Sequence, residues 1–135
     1  MDRLVAFGCS SQSTWPQLVS NKLGMESINA NTATISNRLI MHEIINFPLL
    51  STDTVIAVWA NPDTRDTLYN KDDYKIMNNH YISYTRLYLE KHNLPNLHIT
   101  CSQDIDHPLI YDIDQSTFES QEELANRIHK RMTKG

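Results

Sequence analysis

The sequence predicts a three-layer α/β/α fold, a small parallel sheet of about four to five strands covered by helices on both faces. Three observations predict it. Short apolar runs alternate with longer stretches of helical period along all 135 residues, and no repeat or low-complexity segment interrupts them. Two of the runs, Arg3 to Gly8 and Thr54 to Ala60, have the continuous apolar character of strands buried on both faces. Strands that alternate with helices pair in parallel through right-handed crossovers.

The elements follow in order. RLVAFG (3–8) is the first strand, stopped by Gly8-Cys9-Ser10-Ser11. Thr14 stands where a residue can cap the first helix, Pro16 occupies a tolerant first turn, and Trp15, Leu18, Val19 and Leu23 recur at helical spacing before Gly24. ESINAN (26–31) is a weaker second strand. A helix from about Ser36 to Phe47 carries Leu39, Ile40, Ile44 and Phe47 as its apolar stripe, and Pro48 ends it. TVIAVWA (54–60) is the most β-like stretch and is expected at the centre of the sheet, with Asn61-Pro62-Asp63 turning the chain after it. Residues 62–75 read as a polar excursion, followed by a helix to Lys91 on which Tyr81, Tyr84 and Tyr88 share a face expected to pack on the sheet. LHITC (97–101) is the fourth strand. An Asp-rich loop then leads to an amphipathic helix from about Ser120 to Lys134, with Leu124, Ile128 and Met132 facing inward.

Length and composition suit one domain spanning residues 1–135, with 40% hydrophobic and 21% charged residues. A net charge of −4 gives no basic footprint, so nucleic acid is not an expected partner. No apolar run reaches the roughly 18 residues of a membrane span, and the start of the chain does not read as a signal peptide, so no membrane association and a cytoplasmic location are expected. Cys9 and Cys101 are expected to be free thiols, since there is no CxxC pair and no Cys/His cluster for zinc. Neither GxGxxG nor GxxxxGK[ST] is present, and no cofactor is implied. Asp104, Asp106, Asp112 and Asp114 with His107 fit no cation-binding loop and read as a solvated acidic segment, so no metal is expected.

In an open parallel sheet, ligands bind beyond the carboxyl ends of the strands, where the strand order reverses. Chemistry is therefore sought after Gly8, Asn31, Ala60 and Cys101. Ser10 puts a hydroxyl on a tight strand-to-helix turn, beside helix N–H groups that favour an oxyanion; the same serines serve equally as turn residues. Asn61 offers a side-chain amide at the same edge and is also an ordinary turn former before proline. Arg65 suits an anionic group, or is simply solvated.

Taken together, RLVAFGCSS, TWPQLVSNKLG, ISNRLI and TVIAVWANPDTR resemble the SGNH/GDSL hydrolases, in particular short phage-type members that begin with GCS. The resemblance covers roughly the first 65 residues well and the last 15 loosely. It implies a flavodoxin-like, SGNH-type sheet, with Ser10 as nucleophile and Asn61 as an oxyanion donor. Thr34 stands where the family has a glycine whose N–H completes that oxyanion hole. The family's Asp-x-x-His block precedes the final helix, where this chain has Asp114-Gln115-Ser116-Thr117; further upstream, Asp104-Ile105-Asp106-His107 has the same spacing. That spacing makes His107 the candidate base and Asp104 its orienting partner. Asn37, Trp59 and Arg65 are the candidate substrate-binding residues. The expected activity is hydrolysis of a short acyl ester, on a small molecule or glycan, through a Ser10 acyl-enzyme. The alternatives are a catalytically degenerate member serving as a binding or structural module, with a protein partner or a second copy, and an unrelated flavodoxin-like ligand-binding domain.

Overall fold

The structure, a computed structural model, describes residues 2–8, 14–30, 37–59, 71–100, 110–112 and 121–133. Its elements are β1 (Arg3–Phe7), α1 (Trp15–Leu23), β2 (Glu26–Asn29), α2 (Asn37–Asn46), β3 (Thr54–Trp59), α3 (Lys71–Lys91), β4 (Asn96–Thr100), β5 (Ile110–Asp112) and α4 (Gln121–Thr133). All the strands run parallel, in the order β2-β1-β3-β4-β5, the flavodoxin-like order.

The pleat sends alternate residues to opposite faces, and the core divides accordingly. Leu4, Ala6, Ile56, Val58 and Ile99 meet Trp15 and Val19 of α1 and Leu124, Ala125 and Ile128 of α4. Val5, Phe7, Val55, Ala57 and Trp59 meet Ile40 and Ile44 of α2 and Ile82 and Leu89 of α3. The α/β/α layering expected from the sequence is therefore present. β3 is central and wholly buried, whereas β2 is an edge strand and half-exposed, which accounts for its weaker apolar signal.

Several local expectations need correction. Thr14 occupies the N-cap position of α1, but with helical φ and ψ and no side-chain cap; its carbonyl instead accepts the Leu18 N–H at 3.2 Å. Gly24 closes α1 as foreseen, at φ +68°, with the Gly24 and Met25 N–H groups returning to the carbonyls of Asn21 and Ser20 in a Schellman arrangement. The third helix starts at Lys71, inside the stretch read as a polar excursion, because an opening turn with no apolar stripe has no periodic signature. The tyrosines are not the residues α3 buries most deeply. Ile82, Thr85 and Leu89 are, while Tyr84 is 56% exposed and Tyr88, partly buried against the same core, donates to the Ile45 carbonyl at 3.3 Å. Within the Asp-rich loop lies β5, a three-residue strand too short for periodicity and defined by its pairing with β4.

At the N-terminal edge of the sheet, Arg3 grips Asp53 through two parallel bonds, Nε to Oδ1 at 2.9 Å and Nη2 to Oδ2 at 2.7 Å. Asp53 also accepts the Leu50 N–H at 2.7 Å, and its side chain has no exposed surface. The Arg3 hydrogen bond, aided by the Leu50 N–H, holds the carboxyl below its ordinary range despite burial. This pair ties the start of β1 to the start of β3, the two strands whose far ends flank the candidate site. Among the described residues, no helix is long and apolar enough to cross a membrane.

Candidate active site at the carboxyl edge

Between β1 and β3 the strand order reverses: the chain leaves β1 for α1 on one face and leaves β3 for α3 on the other. A crevice outside that edge is the ligand position in open α/β sheets. Gly8 is built into this point. Its φ is +81°, and a Cβ there would overlap the Val58 carbonyl oxygen, so only glycine lets the end of β1 lie this close to β3.

Ser10, Thr34, Asn61, Arg65, Asp104 and His107 lie outside the described residues, as do Cys9 and Cys101. The strands nevertheless fix where their segments begin. Phe7 pairs with Ala57, Ala57 with His98, and His98 with Ile110, so these four residues form one row across the sheet. Ser10 follows the β1 end of that row by three residues (7 to 10), and Asn61 follows the last residue of β3 by two (59 to 61). Both segments leave adjacent parallel strands at the same edge. His107 stands differently: it precedes Ile110 by three residues (107 to 110), on the segment that enters β5. Residues 113–120, which leave the carboxyl end of β5 ahead of α4, contain Asp114 but no histidine.

The two described candidates for substrate contact are committed within the scaffold. Asn37 opens α2, is 3% exposed, and donates from Nδ2 to Asn78 Oδ1 of α3 at 2.7 Å. That bond pins the amino end of α2 to α3 beneath the rim. Trp59 is fully buried on the α2/α3 face, and its indole N–H donates to His98 Nδ1 at 3.0 Å. Neither side chain stands open at the rim; each sets the position of an element that carries a rim segment. Sequence reasoning passed over His98 and Asn78. The available signal was a polar residue at an inward position of an otherwise apolar pattern, and only the packing shows what each one meets.

Among the described residues no group of His, Cys, Asp and Glu could hold a metal ion. The chain matches no family model. It matches no curated protein either. A de novo designed Rossmann fold protein is similar over 96% of this chain and 94% of its own length, with 14% identity and a TM-score of 0.38. The fold assignment rests on the parallel strand order and the helices on both faces, and it leaves the chemistry to be argued from the rim.

Proposed function

We propose that the carboxyl rim between β1 and β3 is the site of an SGNH/GDSL-like ester hydrolase with Ser10 as its nucleophile. One observation carries the reading: β1 and β3 are parallel neighbours at the strand-order reversal, with Gly8 against Val58, so the segments bearing Ser10 and Asn61 start side by side. On this reading the Ser10 oxygen attacks a short acyl ester while His107, oriented by Asp104, takes the hydroxyl proton. The carbonyl oxygen becomes an oxyanion that accepts from the Ser10 and Thr34 N–H groups and the Asn61 amide. His107 then returns the proton to the leaving alcohol, and water releases the acyl group from Ser10. Arg65 remains as a substrate contact, while Asn37 and Trp59 act from within the scaffold. The substrate is a small-molecule or glycan ester met in the cytoplasm, a host cell's cytoplasm if the chain is phage-encoded.

A second reading is favoured by a specific observation. The resemblance calls for a histidine after the last strand, and residues 113–120 hold none, whereas His107 stands before β5. With no base, Ser10 stays protonated and weak, and the same rim serves a binding or structural module that engages a protein partner or a second copy. A fluorophosphonate probe and p-nitrophenyl acetate separate the two. The hydrolase reading expects labelling and turnover that are both lost in Ser10→Ala, with turnover also lost in His107→Ala. Neither labelling nor turnover in the folded wild-type chain would remove that reading and leave the module.

A further inference from the structure

We propose that the outer face of α3 is a pairing surface for a second copy of this chain, with the two helices antiparallel about a twofold axis near residue 82. The inference concerns the outside of the α2/α3 layer and holds whichever functional reading of the rim is correct. A helix that buries one face is expected to turn polar and charged residues to water on the other. α3 departs from this. It buries Asn78, Ile82, Thr85 and Leu89, and at about 100° per residue the opposite side carries the three most exposed large apolar side chains among the described residues, Ile76 at 54%, Tyr84 at 56% and Leu87 at 57%. His80 and Lys91, also exposed, stand on the same line.

The order of residues along that line says what covers it. Positions 73 and 91 are 18 residues apart, five turns of about 3.6 residues, so the sequence places an aspartate at one end of the line and a lysine at the other. The pattern reads alike from both ends: the midpoint of 73 and 91 is 82, that of 80 and 84 is 82, and that of 76 and 87 is 81.5. An antiparallel copy centred there sets 73 against 91, 76 against 87 and 80 against 84, each pair occurring twice, which is the self-complementarity a twofold interface requires. Acid meets base at both ends, and Ile76 meets Leu87. A parallel copy would oppose like charges at each end, at a cost. Other charges of α3 leave the line clear. By the same register Lys71, Asp72 and Lys75 fall off it, and Arg86 is paired with Glu90 of its own helix at 3.0 Å. The exposed Arg38, His42 and Glu43 belong to the adjacent helix α2. The pairing is reversible on size alone: a helix of 21 residues, about 31 Å long and about 10 Å wide, offers a footprint of about 300 Å² on each copy, against about 800 Å² per partner in a standard stable interface.

The test is analytical ultracentrifugation of the whole chain at low salt, from micromolar to millimolar concentration, where a reversible monomer–dimer equilibrium is expected. Leu87→Glu, at an exposed position, should weaken the dimer roughly tenfold or more, because the contact is lost twice. Lys91→Asp opposes like charges at both ends and should weaken it about fivefold. Adding Asp73→Lys restores opposite signs and should return the dissociation constant to within about twofold of the wild type. Within one chain the two positions are about 27 Å apart along the helix, so the rescue can arise only between copies. A chain that stays monomeric at millimolar concentration, a dimer indifferent to Leu87→Glu, or a double variant as weak as Lys91→Asp alone overturns the proposal. Circular dichroism checks that each variant is folded, and should Leu87→Glu unfold, the charge exchange decides alone.

Discussion

Replacing Gly8 with alanine adds a single methyl group at the point where β1 meets β3 beneath the candidate site. Two costs arise there. The backbone sits at φ +81°, which costs an L-residue roughly 1–2 kcal/mol. The new Cβ would also overlap the Val58 carbonyl oxygen, which is backbone of the central strand and can move only by disturbing the pairing of β3 with β1 and β4. Forcing a methyl into such a contact costs roughly 1–3 kcal/mol more. Gly8→Ala should therefore lose about 2–5 kcal/mol, or roughly 7–18 °C in Tm for a chain of this size. Gly24 provides the control: its φ is +68°, but nothing lies within 4 Å of an added Cβ, so Gly24→Ala should lose only about 1–2 kcal/mol. Urea unfolding of both variants, followed by circular dichroism, isolates the close approach from the backbone strain. Equal losses in the two variants would refute the claim that β1 is pressed against β3 at this point.

Two further outcomes follow from described contacts. Because the folded Asp53 carboxyl titrates below its unfolded value, the stability it contributes is present above about pH 3.9 and is lost as pH falls through the folded value. Asp53→Asn should thus lower the urea midpoint at pH 7, and the gap to the wild type should close as both are acidified below about pH 4. Truncating either partner removes the bond between the two buried amides of Asn37 and Asn78, so each single alanine variant should lose about 1–3 kcal/mol. The double variant should lose less than the two singles together, and strict additivity in that cycle would mean the bond is absent in solution.

Much of the architecture was legible because the strongest signals are local. The runs at 3–8 and 54–60 had to be buried strands, and the stripe Leu124, Ile128, Met132 had to be an inward helix face. β5 was missed because three residues have no period of their own; only β4 makes them a strand. The tyrosines of α3 share a helical face, but the helix buries Ile82, Thr85 and Leu89 more deeply. At the candidate site, Ser10 and Asn61 were nominated from residue type and the edge rule, and both lie outside the described residues. Asn37 and Trp59 were read as groups for a ligand, because a sequence shows that a polar handle exists and not whether Asn78 or His98 already holds it.

The sequence by itself determined most of the strands and helices, and with them that β1 and β3 end at one edge, where the segments leading to Ser10 and Asn61 begin. Periodicity and turn chemistry act over a few residues, and parallel pairing follows from the alternation. The tertiary structure alone decided the register that levels Phe7, Ala57, His98 and Ile110, the fit of Gly8 against Val58, and the side of β5 on which His107 falls. Those depend on contacts between residues as many as 50 positions apart (7 to 57), and a linear pattern carries no record of which distant residue will be met.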